Sequence, residues 1–191
     1  MAKDKATENY IKLMKAMAKI AKRRNVRLMT ERVSNEIFGE IVYLTDSCAV
    51  YPIPASIYDA NAEACKCPTE KYNVKLYKII RDTDDKGRRV IPTRMLWELT
   101  SCDKVVRVYK SDTDYLFANI EYTDLIELLP DCLRGYSECK NEKSTYPIAF
   151  YNPNVDLGYA ICPIATRVRN NGSDFEDCVH AIEAVSYANV E

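Results

Sequence analysis

The sequence predicts an α+β fold, an antiparallel sheet with helices packed on one face. Three observations predict it. Apolar residues recur at helical spacing over residues 10–21, and β-branched and aromatic runs alternate with short turn clusters from Val26 onward. Of the 191 residues, 47% are hydrophobic, enough to bury a core without disulfide staples.

The first helix has two opposed faces. At about 100° per residue, Tyr10, Leu13, Met14, Met17, Ile20 and Ala21 fall within an arc of roughly 120°, and Lys5, Lys12, Lys15, Lys19, Lys22 and Arg23 within roughly 100° on the other side. The apolar face needs a core; the cationic face is either a solvated surface or a stripe that meets anions. Asp4 or Thr7 can cap the start, and Asn25 supplies a stop after Arg24.

Residues 26–33 alternate apolar and polar, Ser34-Asn35 offers a turn, and residues 37–44 are rich in β-branched and aromatic side chains. Thr45-Asp46-Ser47 makes the next turn, and residues 48–53 a third strand stopped by Pro52 and Pro54. Residues 55–64 suit a short helix, broken by Cys65-Lys66-Cys67-Pro68, and residues 72–81 read as a strand. The acids of residues 82–87 lack the ligand pattern of a calcium loop and read as a solvated turn. Pro92 fits a first helical turn and Met95, Leu96 and Leu99 give an apolar stripe, so residues 92–99 are expected to be helical, with Trp97 as a core or interface filler.

Residues 104–110 and 115–121 form the next hairpin, 124–129 a helical turn closed by Pro130, 138–145 a polar loop, and 146–151 a strand. The last strand, residues 158–168, is interrupted by Pro163. Ser173-Asp174-Phe175-Glu176 matches a capping box, and Phe175, Val179 and Ile182 continue as a helical stripe. The organisation expected is one α+β domain over 1–168, dividing if at all into sub-modules 1–110 and 111–168, with a helical tail over 169–191.

The formal net charge of −1 hides an uneven distribution. Residues 1–32 hold ten Lys and Arg against three acids, whereas residues 111–133 hold six acids and no base. Opposite partners could meet the two regions. The start MAKDKATENY lacks a secretion signal, so the eight cysteines read as reduced cytoplasmic thiols. Their spacing does not suit zinc, and no run approaches the roughly 18 apolar residues of a membrane span.

Catalytic chemistry finds little support. The single histidine, His180, lies two positions from Cys178 on an expected helix, where the two side chains would not face each other. With five glycines there is no phosphate-cradling loop, so no cofactor is expected, and no carboxylate pair stands out. The expectation is a protein that binds rather than catalyses.

The order of elements resembles a DNA sliding-clamp module. YIKLMKAMAKIAKRRNVRL, followed by strands and LTDSCAVYPIP, is similar to the helix that lines a clamp ring and the hairpin and turn after it. VIPTRMLWELTSCDKVVRVYKSDTDYLFANI is similar to a second ring-facing helix and its hairpin, and TYPIAFYNPNVDLGYAICPIATR to the closing strands. The resemblance implies that Lys12, Lys15, Lys19, Lys22 and Arg23, joined by Arg94, face duplex DNA in a salt-sensitive, sequence-independent way. It also implies that Pro163 and Ile164 border a partner-peptide pocket, and that copies assemble into a homo-oligomeric ring. A compact chain of this kind suggests a phage or other mobile element. The alternative expectation is an inhibitor of a CRISPR-type defence nuclease, bound through an acidic surface that includes Asp112, Asp114, Glu121 and Asp124 and mimics nucleic acid.

Overall fold

The computed structural model describes residues 4–68, 75–81, 88–99, 104–111, 115–134, 139–141 and 147–164. Helix α1 (Lys5–Arg24) starts at N-cap Asp4, whose carboxylate accepts the Thr7 N–H at 2.8 Å, and ends at Asn25, left-handed at φ 54°. It buries Tyr10, Leu13, Met14, Met17, Ile20 and Ala21, the face read from spacing. Each fully buried Leu, Met or Ile contributes roughly 1.5–3 kcal/mol, so packing more than propensity holds α1.

Strands β1 (Met29–Asn35), β2 (Gly39–Thr45) and β3 (Ala49–Pro54) follow as the expected antiparallel meander. The first turn falls slightly later than expected. Asn35 pairs with Gly39, its side-chain oxygen accepts the N–H groups of Ile37 and Phe38, and Gly39 takes the left-handed φ of 74°. Helix α2 (Ala55–Asn61) comes next, as expected.

Three elements differ from the sequence reading; one is the short strand Cys139–Asn141, which falls in the expected polar loop 138–145. Residues 76–81, expected to extend a strand begun at 72, form helix α3 (Leu76–Arg81), which buries Leu76 and Ile80 one turn apart. Residues 92–99, expected to be helical, belong to strand β4 (Arg88–Leu99). There the register with β5 (Lys104–Ser111) shifts between Pro92 and Leu96, and Thr93 Oγ1 fills the irregularity by donating to the Val108 carbonyl and accepting the Met95 N–H. The bulge breaks the period of two, which is why the stripe looked helical.

The chain continues through β6 (Tyr115–Asn119), α4 (Ile120–Thr123), a 3-10 turn (Asp124–Leu128), α5 (Asp131–Arg134), β7 (Cys139–Asn141), β8 (Ile148–Asn152) and β9 (Leu157–Ile161). Among the described residues, nine strands form one antiparallel sheet in the order β1-β2-β3-β9-β8-β7-β4-β5-β6. The α+β class is as expected. The sheet crosses the expected sub-module boundary after residue 110, since β5 pairs with β6 and β3 with β9. The tail, residues 169–191, and the acidic turn, residues 82–87, lie outside the described residues.

The sheet curls strongly. Strands β8 and β5 are three places apart, about 14 Å in a flat sheet, yet the Phe150 and Tyr109 rings approach to 6.1 Å. At the rim, the Ile164 N–H donates to the Phe117 carbonyl at 2.7 Å, joining the chain that leaves β9 to edge strand β6. Inside the curl, Tyr51, Tyr159 and Phe150 stack in sequence, with centroids 6.3 and 4.6 Å apart. Alternate residues of the β4–β6 region face the other way, where Leu99, Val106, Val108 and Phe117 form a second small core with Trp97 and Ile164 packed on it.

Candidate nucleic-acid interface

A curled sheet with α1 packed by its apolar side leaves the helix's cationic side outward. Lys12, Lys15, Lys19 and Lys22 are all exposed, and none has an ion-pair partner among the described residues. The chain after α2 then returns to this helix. Cys65 and Cys67 are buried beside α1, their sulfurs 4.0 and 3.9 Å from the carbonyls of Ile11 and Met14, with Lys66 between them at φ 58°. Burial, followed by the effect of Cys65, pushes the Cys67 thiol up to about 12, so it stays a neutral packing group.

Between that turn and α1 lies an open groove of about 610 Å³. Five cationic residues line it, Lys15, Lys19, Lys22, Arg27 and Lys66, over a floor that includes Ala18, Ala21, Leu28 and Pro68. Among the described residues no carboxylate lines it. Over the roughly 10 Å between Lys15 and Lys22, a duplex presents about six phosphate charges at one per ~1.7 Å, so the groove faces no shortage of anions if one docks.

The arginines at the end of α1 behave differently. Arg23 faces a second cleft, of about 420 Å³, shared with Arg24, Lys104 and Glu121, and forms an ion pair with Glu121. Arg24 Nη1 donates to Asp46 Oδ2 at 2.7 Å and to the Tyr122 hydroxyl, which itself donates to Asp46 Oδ2. Asp46 is 0% exposed, and its other oxygen accepts the N–H groups of Cys48 and Ala49 at 2.9 and 3.2 Å. Burial and then the hydrogen bond to Asp46 push the Tyr122 phenol up, which keeps it a donor. This cluster pins the end of α1 to the β2–β3 turn and to α4. The sequence showed Thr45-Asp46-Ser47 only as a turn; Ser47 adopts φ 73°, the region that favours glycine.

The remaining expected site residues divide. Arg94 sits on β4 rather than on a second helix, and its side chain is outside the described residues. Of the acidic set, Asp112 and Asp114 are also outside them, Glu121 is engaged by Arg23, and exposed Asp124 lies 3.5 Å from Arg107. The structure thus joins Arg23 and Glu121, which the sequence reading had given to different partners. Pro163 and Ile164 are half-buried; Ile164 uses its N–H on Phe117 and its side chain on the second core. Among the described residues no group of three or more His, Cys, Asp or Glu converges on a metal position, and no helix is long and apolar enough to cross a membrane.

Compared with known proteins, the chain matches no family model, no curated protein and no solved structure.

Proposed function

We propose that this protein is a non-enzymatic binder of nucleic-acid backbone, holding duplex DNA along the cationic side of α1. The observation that carries the reading is the groove of about 610 Å³ lined by Lys15, Lys19, Lys22, Arg27 and Lys66, with no carboxylate among its described lining residues. Ammonium groups on flexible stems suit phosphates that differ in position from site to site, and they carry no base-edge information. Lys12, one turn further along the same exposed side, extends the surface. The clamp resemblance supports this reading through α1 alone, because the second lining helix it implied is strand β4. Assembly of copies around a duplex is the form such a binder takes if the resemblance extends to quaternary structure.

Fluorescence anisotropy with a labelled duplex of arbitrary sequence, titrated from low salt upward, tests the proposal. With about five phosphates neutralised, log K should fall against log salt with a slope of about −4.5. Two unrelated sequences should bind equally. No binding at low salt, or a flat salt response, ends it, and light scattering of the free and bound protein reports whether copies assemble.

A further inference from the structure

Opposed cysteines flank strands β3 and β9, Cys48 just before the first and Cys162 just after the second. Ala49 pairs with Ile161 and Val50 with Ala160, so one step further Cys48 lies opposite Cys162, whose N–H donates to the Cys48 carbonyl at 2.7 Å. The Cys48 N–H goes to Asp46 instead, so this single backbone bond closes the ladder with the two cysteines side by side, where a disulfide would span Cα atoms roughly 4.4–6.8 Å apart. Directly opposed side chains share a face of the sheet, and these two line one cavity of about 230 Å³. Neither is fully buried.

Their surroundings differ. Arg24 Nη2 donates to Cys48 Sγ at 2.9 Å, while its Nη1 serves Asp46 and Tyr122, so a permanent cation touches one sulfur of the pair. Asp46 adds an opposing charge, offset by Arg24, Tyr122 and the N–H groups of Cys48 and Ala49. Cys162 Sγ contacts the Ser47 carbonyl at 3.5 Å instead. Burial, then Cys48, pushes its thiol up to about 11.

The geometry points to a thiol modification site in which Cys48 reacts with a hydroperoxide and Cys162 resolves the product as an intramolecular disulfide. The Cys48 thiolate attacks the peroxide, forming an S–O bond as O–O breaks; the electron pair leaves with the distal oxygen, which solvent protonates. Cys162, its proton lost to solvent, then attacks the Cys48 sulfur, S–S forms, S–O breaks, and hydroxide leaves as water. Two thiols are oxidised by two electrons, and the hydroperoxide is reduced to water and its alcohol, or to two waters for hydrogen peroxide. The bond closes β3 on β9 and withdraws the sulfur that Arg24 holds.

The full chain, treated with equimolar hydrogen peroxide and mapped without reduction by mass spectrometry, tests this. A Cys48–Cys162 linked peptide should dominate, with Cys48 lost about tenfold faster than buried Cys65 and Cys67. In Cys162→Ser the reaction should stop at a Cys48 sulfenic acid captured by dimedone, and in Cys48→Ser Cys162 should remain reduced. Oxidation of Cys48 no faster than Cys65, its linkage to another cysteine, or no dimedone adduct in Cys162→Ser overturns the assignment.

Discussion

Helix α1 carries two kinds of cation that a charge count treats as one. Arg23 and Arg24, in its last turn, are engaged by Glu121 and Asp46, which lie 98 and 22 residues away in the chain. Lys12, Lys15 and Lys19, over about three turns before them, and Lys22 beside them have no ion-pair partner among the described residues. The planar guanidinium fork fastens the fold, and the ammonium groups stay exposed to solvent. Arg32 follows the same division, holding Glu40 of β2 and Asp59 of α2. If the contrast is real, reversing lysines should abolish binding without touching stability, and removing the arginines' anchors should do the opposite.

The largest effect is expected at the lysines. Reversing Lys15, Lys19 and Lys22 to Glu should weaken duplex binding about a thousandfold at low salt, roughly 4 kcal/mol, while the urea midpoint stays within about 0.5 kcal/mol of the parent. Anisotropy and denaturation on the same preparation separate the two. A triple variant that binds normally removes the groove from the proposal.

Next comes Asp46→Ala. It strips Arg24, Tyr122 and two backbone N–H groups of a fully buried acceptor, and should destabilise by about 3 kcal/mol. Binding by the fraction still folded should change less than about threefold, since Asp46 does not line the groove and at about 0.15 M salt charges are screened beyond about 8 Å. A loss of affinity on the scale of the lysine variants would merge the two classes of cation into one.

Why the lysine side was legible and the arginine side was not follows from range. The 3.6-residue period of α1 is local, so Leu13, Met14 and Met17 declared its buried face and, by subtraction, the exposed lysines. Alternation and short turns likewise declared β1 to β3, and Asn25 the helix stop. Arg24 meets Asp46 and Tyr122 only because the sheet curls, and no local spacing reports that. The errors in the fold have the same origin: the bulge of β4 hides its alternation, and the six residues of α3 are too few to separate a helix from a strand. Strand β7, three residues of largely polar sequence, is specified by its neighbours Arg89 and Ala149 and not by its own composition. Within the acidic stretch, evident as a charge run, the pairing of Glu121 with Arg23 is likewise set by tertiary structure and has no local signal.

A carboxylate away from α1 extends the comparison from cations to anions. Burial raises the pKa of Asp156, but hydrogen bonds from Tyr151 and Tyr77 and the charge of Arg81 outweigh it and hold the group below the usual carboxylate range. With a folded value below the unfolded one, near about 3.9, its contribution is fully present above that pH and is lost as pH falls through the folded value. Unfolding free energies of the parent and of Asp156→Asn, measured from pH 7 downward, should therefore converge in acid. A constant gap would mean that packing, not charge, sets the effect of the substitution.

The smallest effect is the most discriminating. Arg23 belongs to the expected DNA-facing set by helical position, yet it lies in the second cleft, paired with Glu121, and both side chains are substantially exposed at 56% and 36%. An exposed pair of this kind is worth about 0–1 kcal/mol, so Arg23→Ala should shift stability by less than about 0.5 kcal/mol. Its effect on duplex binding then decides where the cationic surface ends. A salt slope unchanged from the parent confines the contact to the lysine groove, whereas a slope reduced by about 1 means that Arg23 leaves Glu121 for a phosphate, and that the division between fastened and solvated cations falls at Arg24.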